Sequence, residues 1–333
     1  MSVSLRDPLV LKRGQWLALR NEPGHIGASQ VPSILGLDPY QSAWSLWCEM
    51  TGRTEPKPVT AAMQSGLALE PVISNLYKEE TGRELYDPGR YAVWQDEALP
   101  WLSCTIDRLM VHGDYPVELK HAGRWHSSEW YEPEAPKRHQ AQVQMQMRIL
   151  GKAFGSIAGL PDTLELRYFD IQYDDEFVAE ALYSIEAFHK CVIDNVPPEI
   201  DGHPATTAAI RRLTKESPAD SRVVVLTGAH AQAAIALQAV KEMLKKVEAE
   251  KDKYQNVVME ALRDATHGTV PGVINYSFKT SKAPEPKLVI PWSEKVEELL
   301  INHSIPFTTS KREPARPLIE VKNLPSEGAS NAK

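Results

Sequence analysis

Cysteine is scarce in this chain of 333 residues, which holds only Cys48, Cys104 and Cys191, far apart in sequence. That spacing excludes a disulfide framework, a paired-cysteine zinc site and a four-cysteine iron–sulfur cluster within one chain. Long apolar runs are missing too. None approaches the ~18 residues of a membrane span, and the opening Met1-Ser-Val-Ser-Leu-Arg-Asp7 lacks the apolar stretch of a secretory signal. A cytoplasmic protein with no membrane role is the expectation. No G-x-x-x-x-G-K-[ST] phosphate loop occurs, so intrinsic ATP use is not expected. Positive charge is in deficit: a formal charge of −7 excludes broad, charge-driven coating of nucleic acid but permits a local basic groove beside an acidic metal site. What is present, 42% hydrophobic and 24% charged positions, describes a globular chain with a sizeable core and rules out a fibrous or wholly disordered one.

The first 200 residues carry a mixed α/β pattern. Periodicity predicts helices over 12–20, 28–36, 42–51 and 61–81, strands over 91–94, 102–111 and 115–121, and a helix over 137–150. Strands near 155–160 and 164–173 then precede an amphipathic helix at 175–195. A compact α/β layer fold follows from this order. The proline-rich Val196-Pro-Pro-Glu-Ile-Asp-Gly-His-Pro204 is the best boundary, which gives a core of 1–198 and a C-terminal extension of 199–333. Within the extension, Leu237, Val240, Leu244, Val247, Tyr254, Val258 and Ala261 recur at three- and four-residue steps, broken by Lys251. This predicts a long helix over 229–262 with a coiled-coil seam, too long to be buried in a small core of its own and suited to pack on another helix or protomer. A short strand is expected over 273–278 and a loosely ordered end from about 308.

The stretch from Leu102 to Lys120 carries the chemistry. If Gly113-Asp114 forms a two-residue hairpin loop, Asp107 faces Lys120, and Glu118 and Lys120 share that face by strand alternation. The opposite face carries Cys104, Ile106, Met110, Val117 and Leu119. Such a charged cluster has a plain alternative, since cross-strand Lys–Asp and Lys–Glu pairs decorate many solvated sheets. The residue types nevertheless suit metal chemistry: hard carboxylate oxygens hold Mg²⁺, and an ammonium orients or deprotonates water.

An Asp followed after a turn by Glu-x-Lys resembles the restriction-type PD-(D/E)xK nuclease core, although Thr105-Ile106 replaces the proline usually found before the aspartate. Four blocks extend the likeness: Trp16-Leu-Ala-Leu-Arg20 with Ile26-Gly-Ala-Ser29; Gly66-Leu-Ala-Leu-Glu70-Pro; Thr105-Ile-Asp107 with Glu118-Leu-Lys120; and Gln142-Val-Gln144. Together they make residues 12 to about 195 similar to the lambda exonuclease/YqaJ-type viral recombinase nucleases. The resemblance implies a restriction-endonuclease-like core, with a mixed central sheet flanked by helices. It further implies that Glu70, Asp107 and Glu118 hold Mg²⁺, with Mn²⁺ as a substitute, that Lys120 activates water, and that Gln142 supports the site. Arg20 and Ser29 would bind the 5′-terminal phosphate. The implied activity is a 5′–3′ exonuclease on double-stranded DNA ends, working beside a single-strand annealing recombinase and as a homo-oligomer, a trimer by family likeness. A nuclease of the same core that cuts internally or prefers single strands is the runner-up. A DNA-binding or assembly protein with a decayed site is the alternative from another class.

Each residue has a plainer reading. Glu70 suits a helix first turn, Ser29 an N-cap, Arg20 a helix C-terminus, and Gln142 with Gln144 an exposed polar face. His121, His126 and His139 lack the i, i+4 spacing of a helical zinc pair. Trp125, Trp130 and Tyr131 suit core or lid packing better than base stacking.

Overall fold

Most helices form where the apolar steps predict them, although no helix was expected over 204–215 and the one expected over 28–36 is a 3-10 turn followed by a short helix. In this computed structural model the described residues are 7–55, 60–122, 124–161, 165–215, 224–263, 265–271, 274–278, 287–289, 308–310 and 318–321. The chain begins β1 (Leu9–Val10), α1 (Arg13–Arg20), β2 (Ile26–Gly27), a 3-10 turn (Ala28–Gln30), α2 (Val31–Ile34), α3 (Ala43–Met50), α4 (Ala61–Thr81), β3 (Leu85–Tyr86) and β4 (Ala92–Gln95). It continues β5 (Leu102–Cys104), β6 (Arg108–Met110), β7 (Pro116–His121), a 3-10 stretch (Arg124–Tyr131), α5 (Lys137–Leu150), β8 (Phe154–Leu160), β9 (Arg167–Gln172), α6 (Asp175–Ile193) and α7 (Pro204–Lys215). After these come α8 (Gly228–Leu262), β10 (His267–Val270), β11 (Ile274–Phe278), β12 (Lys287–Val289), β13 (Thr308–Ser310) and β14 (Leu318–Val321). The Thr60 hydroxyl caps α4 by accepting from the Met63 N–H, and Gly82 ends that helix at φ 67°. Asp174 caps α6 through the N–H groups of Glu176 and Phe177.

Two compact units result, Met1–Asp220 and Ser221–Lys333. The proline-rich connection lies inside the first, because α7 beyond it packs on α3, with a buried 2.6 Å hydrogen bond between the Ser42 and Thr206 hydroxyls.

The first unit is built on a five-stranded mixed sheet in the order β3-β6-β7-β8-β9, in which β7 and β8 run parallel and the other neighbours antiparallel. Helix α5 makes the crossover between the parallel pair. One apolar cluster joins Ile73 and Tyr77 of α4 to Met110, Val117, Leu119 and Leu160. Another joins Val143 and Met147 of α5 to Ile157 and Trp130. Gly159 is part of this second packing, since a Cβ there would drive into the Trp130 ring. A short sheet, β1-β4-β5-β2, adds Leu102 and Cys104 to the largest cluster, beside Trp44, Trp47 and Phe188.

The expected continuous strand over 102–111 is two strands in two sheets. β5 pairs with β4 and β2, whereas β6 pairs with β3 and β7. Cys104 and Ile106 therefore pack in the largest cluster, away from Met110, Val117 and Leu119. The hairpin register also differs from expectation. Arg108 pairs with Val117, Leu109 with Pro116, and the Met110 N–H bonds to the Tyr115 carbonyl at 3.0 Å, which leaves a four-residue loop. Gly113 and Asp114 both take positive φ there, 96° and 52°. A slip of two residues preserves side-chain parity, so the predicted face survives the wrong register.

In the second unit, α8 runs within a residue of its predicted limits, and β11 matches the predicted strand except for Val273, which lies outside the described residues. Leu262 at the end of α8 is buried against Gly268. From 308 onward, where loose order was expected, β13 pairs with β12 and β14 with β11; the rest of that stretch lies outside the described residues.

Candidate active site

Asp107 occupies the bend where the chain leaves one sheet for the other. Its Oδ2 accepts the Leu119 N–H at 2.8 Å, which ties the bend to the middle of β7. Glu118 on β7 faces α5 and is 2% exposed. A buried carboxylate demands partners, and Glu118 has three. The Lys120 ammonium lies 2.5 Å from Oε1, the Gln142 amide donates to Oε1 at 2.7 Å, and the Gln146 amide donates to Oε2 at 2.6 Å. Gln142 and Gln146 are four residues apart on α5, hence on one helix face.

Electrostatics bind these groups together. Burial, then the charge of Glu118 and more weakly that of Glu70, holds the Asp107 carboxyl well above the usual carboxylate range, against the pull of Lys120 and the Leu119 N–H. Burial opposes the Lys120 charge, but Glu118 and Asp107 outweigh it and keep the ammonium above its ordinary value. Burial also raises Glu70, with Arg108 pulling it down and Glu118 pushing it up. Glu70 is the tenth residue of α4, so the first-turn reading fails. Arg108 is anchored by donating to the Asp107 carbonyl at 2.5 Å and lies 3.6 Å from Asp87 Oδ2.

Among the described residues no three His, Cys, Asp or Glu side chains gather as a closed metal cage. The donor set nevertheless fits a hard cation. Mg²⁺ is ordinarily held by one or two carboxylates, with water and phosphate oxygens completing its shell. Here two carboxylates repel one another inside the fold, a repulsion that a cation relieves. Burial and Glu118 raise the Cys104 thiol, His121 lies exposed at the end of β7, and burial, then the charges of Lys120 and Arg138, holds the His139 imidazole well below its ordinary value.

A small cavity adjoins this cluster, lined among others by Arg20, His25, Ser29, Ser103, Thr105 and Gln142. Gln142 is thus shared by the cavity and the carboxylate cluster. Arg20, the last residue of α1, lays its guanidinium over the Trp16 ring, 4.7 Å from the centroid. Ser29 is exposed within the 3-10 turn and is not an N-cap; Gln30 supplies the local cap by accepting the Gly27 N–H at 2.8 Å. His25 is buried and shares a 2.9 Å hydrogen bond with the Ser103 hydroxyl.

The glutamine run departs from the exposed-face reading: Gln142, Gln144 and Gln146 are all buried. Gln144 serves the fold, donating to the Gln172 carbonyl at 2.8 Å and accepting the Asp174 N–H at 3.0 Å. Gln146, His25 and Ser103 were not singled out from sequence. For Gln146 the available signal was its i, i+4 relation to Gln142. Of the aromatics, Trp130 is fully buried beside His139 and Phe169, whereas Tyr131 is exposed near Arg167. The side chains of Trp125 and His126 lie outside the described residues.

Known proteins are similar to this chain in sequence. The uncharacterized protein YqaJ of Bacillus subtilis (strain 168) is 22% identical over 264 residues, covering 78% of this chain and 81% of its own. Among solved structures, an alkaline exonuclease from Laribacter hongkongensis is 22% identical with a TM-score of 0.46, covering 61% of this chain and 100% of that one. A phage-related exonuclease from Haemophilus somnus 129PT is 11% identical with a TM-score of 0.41, covering 54% of this chain and 99% of its own. Residues 15–153, which include Arg20, Ser29, Glu70, Asp107, Glu118, Lys120 and Gln142, match the YqaJ-like viral recombinase domain.

Proposed function

We propose that this chain is a metal-dependent DNA exonuclease that degrades one strand of linear duplex from its 5′ end, leaving 3′ single-stranded overhangs for strand annealing. The observation that carries the reading is the continuity between the half-buried Asp107 with the buried Glu118 and the cavity lined by Arg20 and Ser29, with Gln142 common to both. Asp107 and Glu118 would hold Mg²⁺ or Mn²⁺, with Glu70 at the margin. Bound there, the ion supplies Lewis acidity and lowers the pKa of water.

The chain's own groups divide the remaining work. Gln142 and Gln146 fix the Glu118 carboxylate, so its oxygens keep one orientation while a phosphodiester approaches. Lys120, held as an ammonium by its acids, orients the attacking water and offsets negative charge on the phosphorus oxygens; it can accept a proton only after giving up one of its own, which a weakened contact with Glu118 would allow. Arg20 grips the 5′-terminal phosphate through its guanidinium fork and Ser29 donates its hydroxyl, which sets the end from which degradation starts. The partners of this reaction are DNA ends and a single-strand annealing recombinase, the second in keeping with the family.

The test is a time course on end-labelled linear duplex, with 5′-phosphate or 5′-hydroxyl ends, beside covalently closed circles, in Mg²⁺ and in EDTA. Loss of phosphorylated linear duplex in Mg²⁺ alone, with circles intact, is the expected result. Cutting of the circles would assign the site to an internally acting nuclease instead.

A further inference from the structure

The long helix α8 presents a surface that the catalytic reading does not use. Leu237, Val240, Leu244, Val247, Tyr254 and Val258 follow alternating three- and four-residue steps, the 3.5-residue period of a coiled-coil seam. Five of them are exposed, Leu237 by 55%, Val240 by 60%, Leu244 by 54%, Val247 by 55% and Tyr254 by 58%. At the far end Leu262 is buried within its own unit. A helix of 35 residues with an open apolar stripe of this length is ordinarily completed by a second helix.

We propose that α8 pairs with α8 of a second copy of this chain as an antiparallel two-stranded coiled coil. In that register Leu244 packs against the partner's Val247, Leu237 against the partner's Tyr254, and Lys251 against the partner's Val240. The arrangement is self-complementary: one two-fold axis satisfies every layer from His230 to Ala261, as an isologous interface requires.

Charge selects the orientation. Lys251 is the one charged residue in the seam, and a parallel pair would set it directly against its own copy. The antiparallel pair sets it against an aliphatic residue, along which its methylene stem lies while the ammonium reaches water. Flanking positions agree. Antiparallel packing brings Lys241 beside the partner's Glu248, and does so twice by symmetry. Parallel packing would instead put Met243 near Glu248, Ala236 near Lys241 and Glu250 near Gln255, with no opposite charges meeting.

Sedimentation velocity of the full chain over a concentration series tests this, with variants at exposed positions whose helical folding is checked by circular dichroism. The wild type should show an association step that doubles the mass of the dissociated species. Leu244→Asp should abolish that step, while Ile235→Asp, an exposed apolar position off the seam, should leave it unchanged. Lys241→Glu and Glu248→Lys should each weaken it by about tenfold or more, because two attractive contacts become repulsive, and the double exchange should restore it to within about threefold. A wild-type chain lacking the step, a Leu244→Asp chain retaining it, or equal loss in Ile235→Asp would overturn the interface. Failure of the double exchange to restore association would overturn the antiparallel register.

Discussion

Helices α5 and α8 invert one another. α5 is polar in sequence, with four glutamines in seven residues, yet nine of its fourteen residues are buried. α8 carries an aliphatic seam, yet most of it is exposed. A polar helix can sit inside only if each polar group finds a partner, and an apolar stripe persists outside only if something covers it. Both mismatches between composition and burial mark where the chain does more than fold. In α5 the glutamines meet a buried carboxylate; in α8 the aliphatic row meets another helix.

The comparison breaks first at the acids that α5 faces. Asp107→Asn and Glu118→Gln preserve shape and remove charge, so each should abolish digestion of linear duplex without lowering the thermal midpoint. Single-turnover assays beside melting curves check both halves, and normal turnover in either variant would remove that residue from the metal site.

The two faces of α5 should then separate. Gln142→Leu and Gln146→Leu should each cut the cleavage rate by roughly 10–100-fold and weaken Mn²⁺ binding, as loss of a group that orients a ligand does. Gln144→Leu should leave cleavage near normal but lower unfolding free energy by about 1–3 kcal/mol, since the Gln172 carbonyl and the Asp174 N–H lose their partner. Urea denaturation of the three variants reads this split directly.

A subtler effect lies in the cavity beside the acids. Burial holds His25 below its ordinary value of 6.5, with Glu22 opposing the shift and Arg20 adding to it. The fold therefore favours neutral imidazole. The stability that His25 contributes is full above the ordinary histidine value and is lost as pH falls through it toward the lowered folded one. Urea midpoints taken between roughly pH 8 and pH 5 should decline more steeply in the wild type than in His25→Gln.

The smallest effects belong to α8. Val240→Ala or Tyr254→Ala should change unfolding of the dissociated chain by no more than ~0.5 kcal/mol, because neither side chain is buried there. A larger loss would mean that the seam is covered from within the same chain.

Much of this was legible in sequence. Helices over 61–81, 137–150 and 229–262 follow from periodicity, because their apolar steps are unbroken or broken once. The shared face of Asp107 and Glu118 also followed, since strand parity tolerates a slip of two residues. The hairpin register did not: Gly113-Asp114 suits a two-residue loop, and only tertiary pairing of Val111 with the Glu84 carbonyl draws that edge into a longer one. Nor was the split at Thr105–Asp107 visible, since strand propensity continues through a segment that changes sheets. Gln146 escaped because a glutamine on a helix is ordinarily solvated, and its need for burial arises from Glu118, which lies far off in sequence.

The missing side chain at Gly159 has a further consequence. Trp130 fills the space that glycine leaves on β8, so one ring fastens the 3-10 stretch that follows the Lys120 strand. Trp130→Ala would leave a flat apolar slot of indole shape, and such slots accept small aromatic molecules. The variant thereby becomes a chemical handle: adding indole should refill the slot and restore whatever the loosened stretch has lost, which makes the order of a segment beside the acids adjustable by a solute.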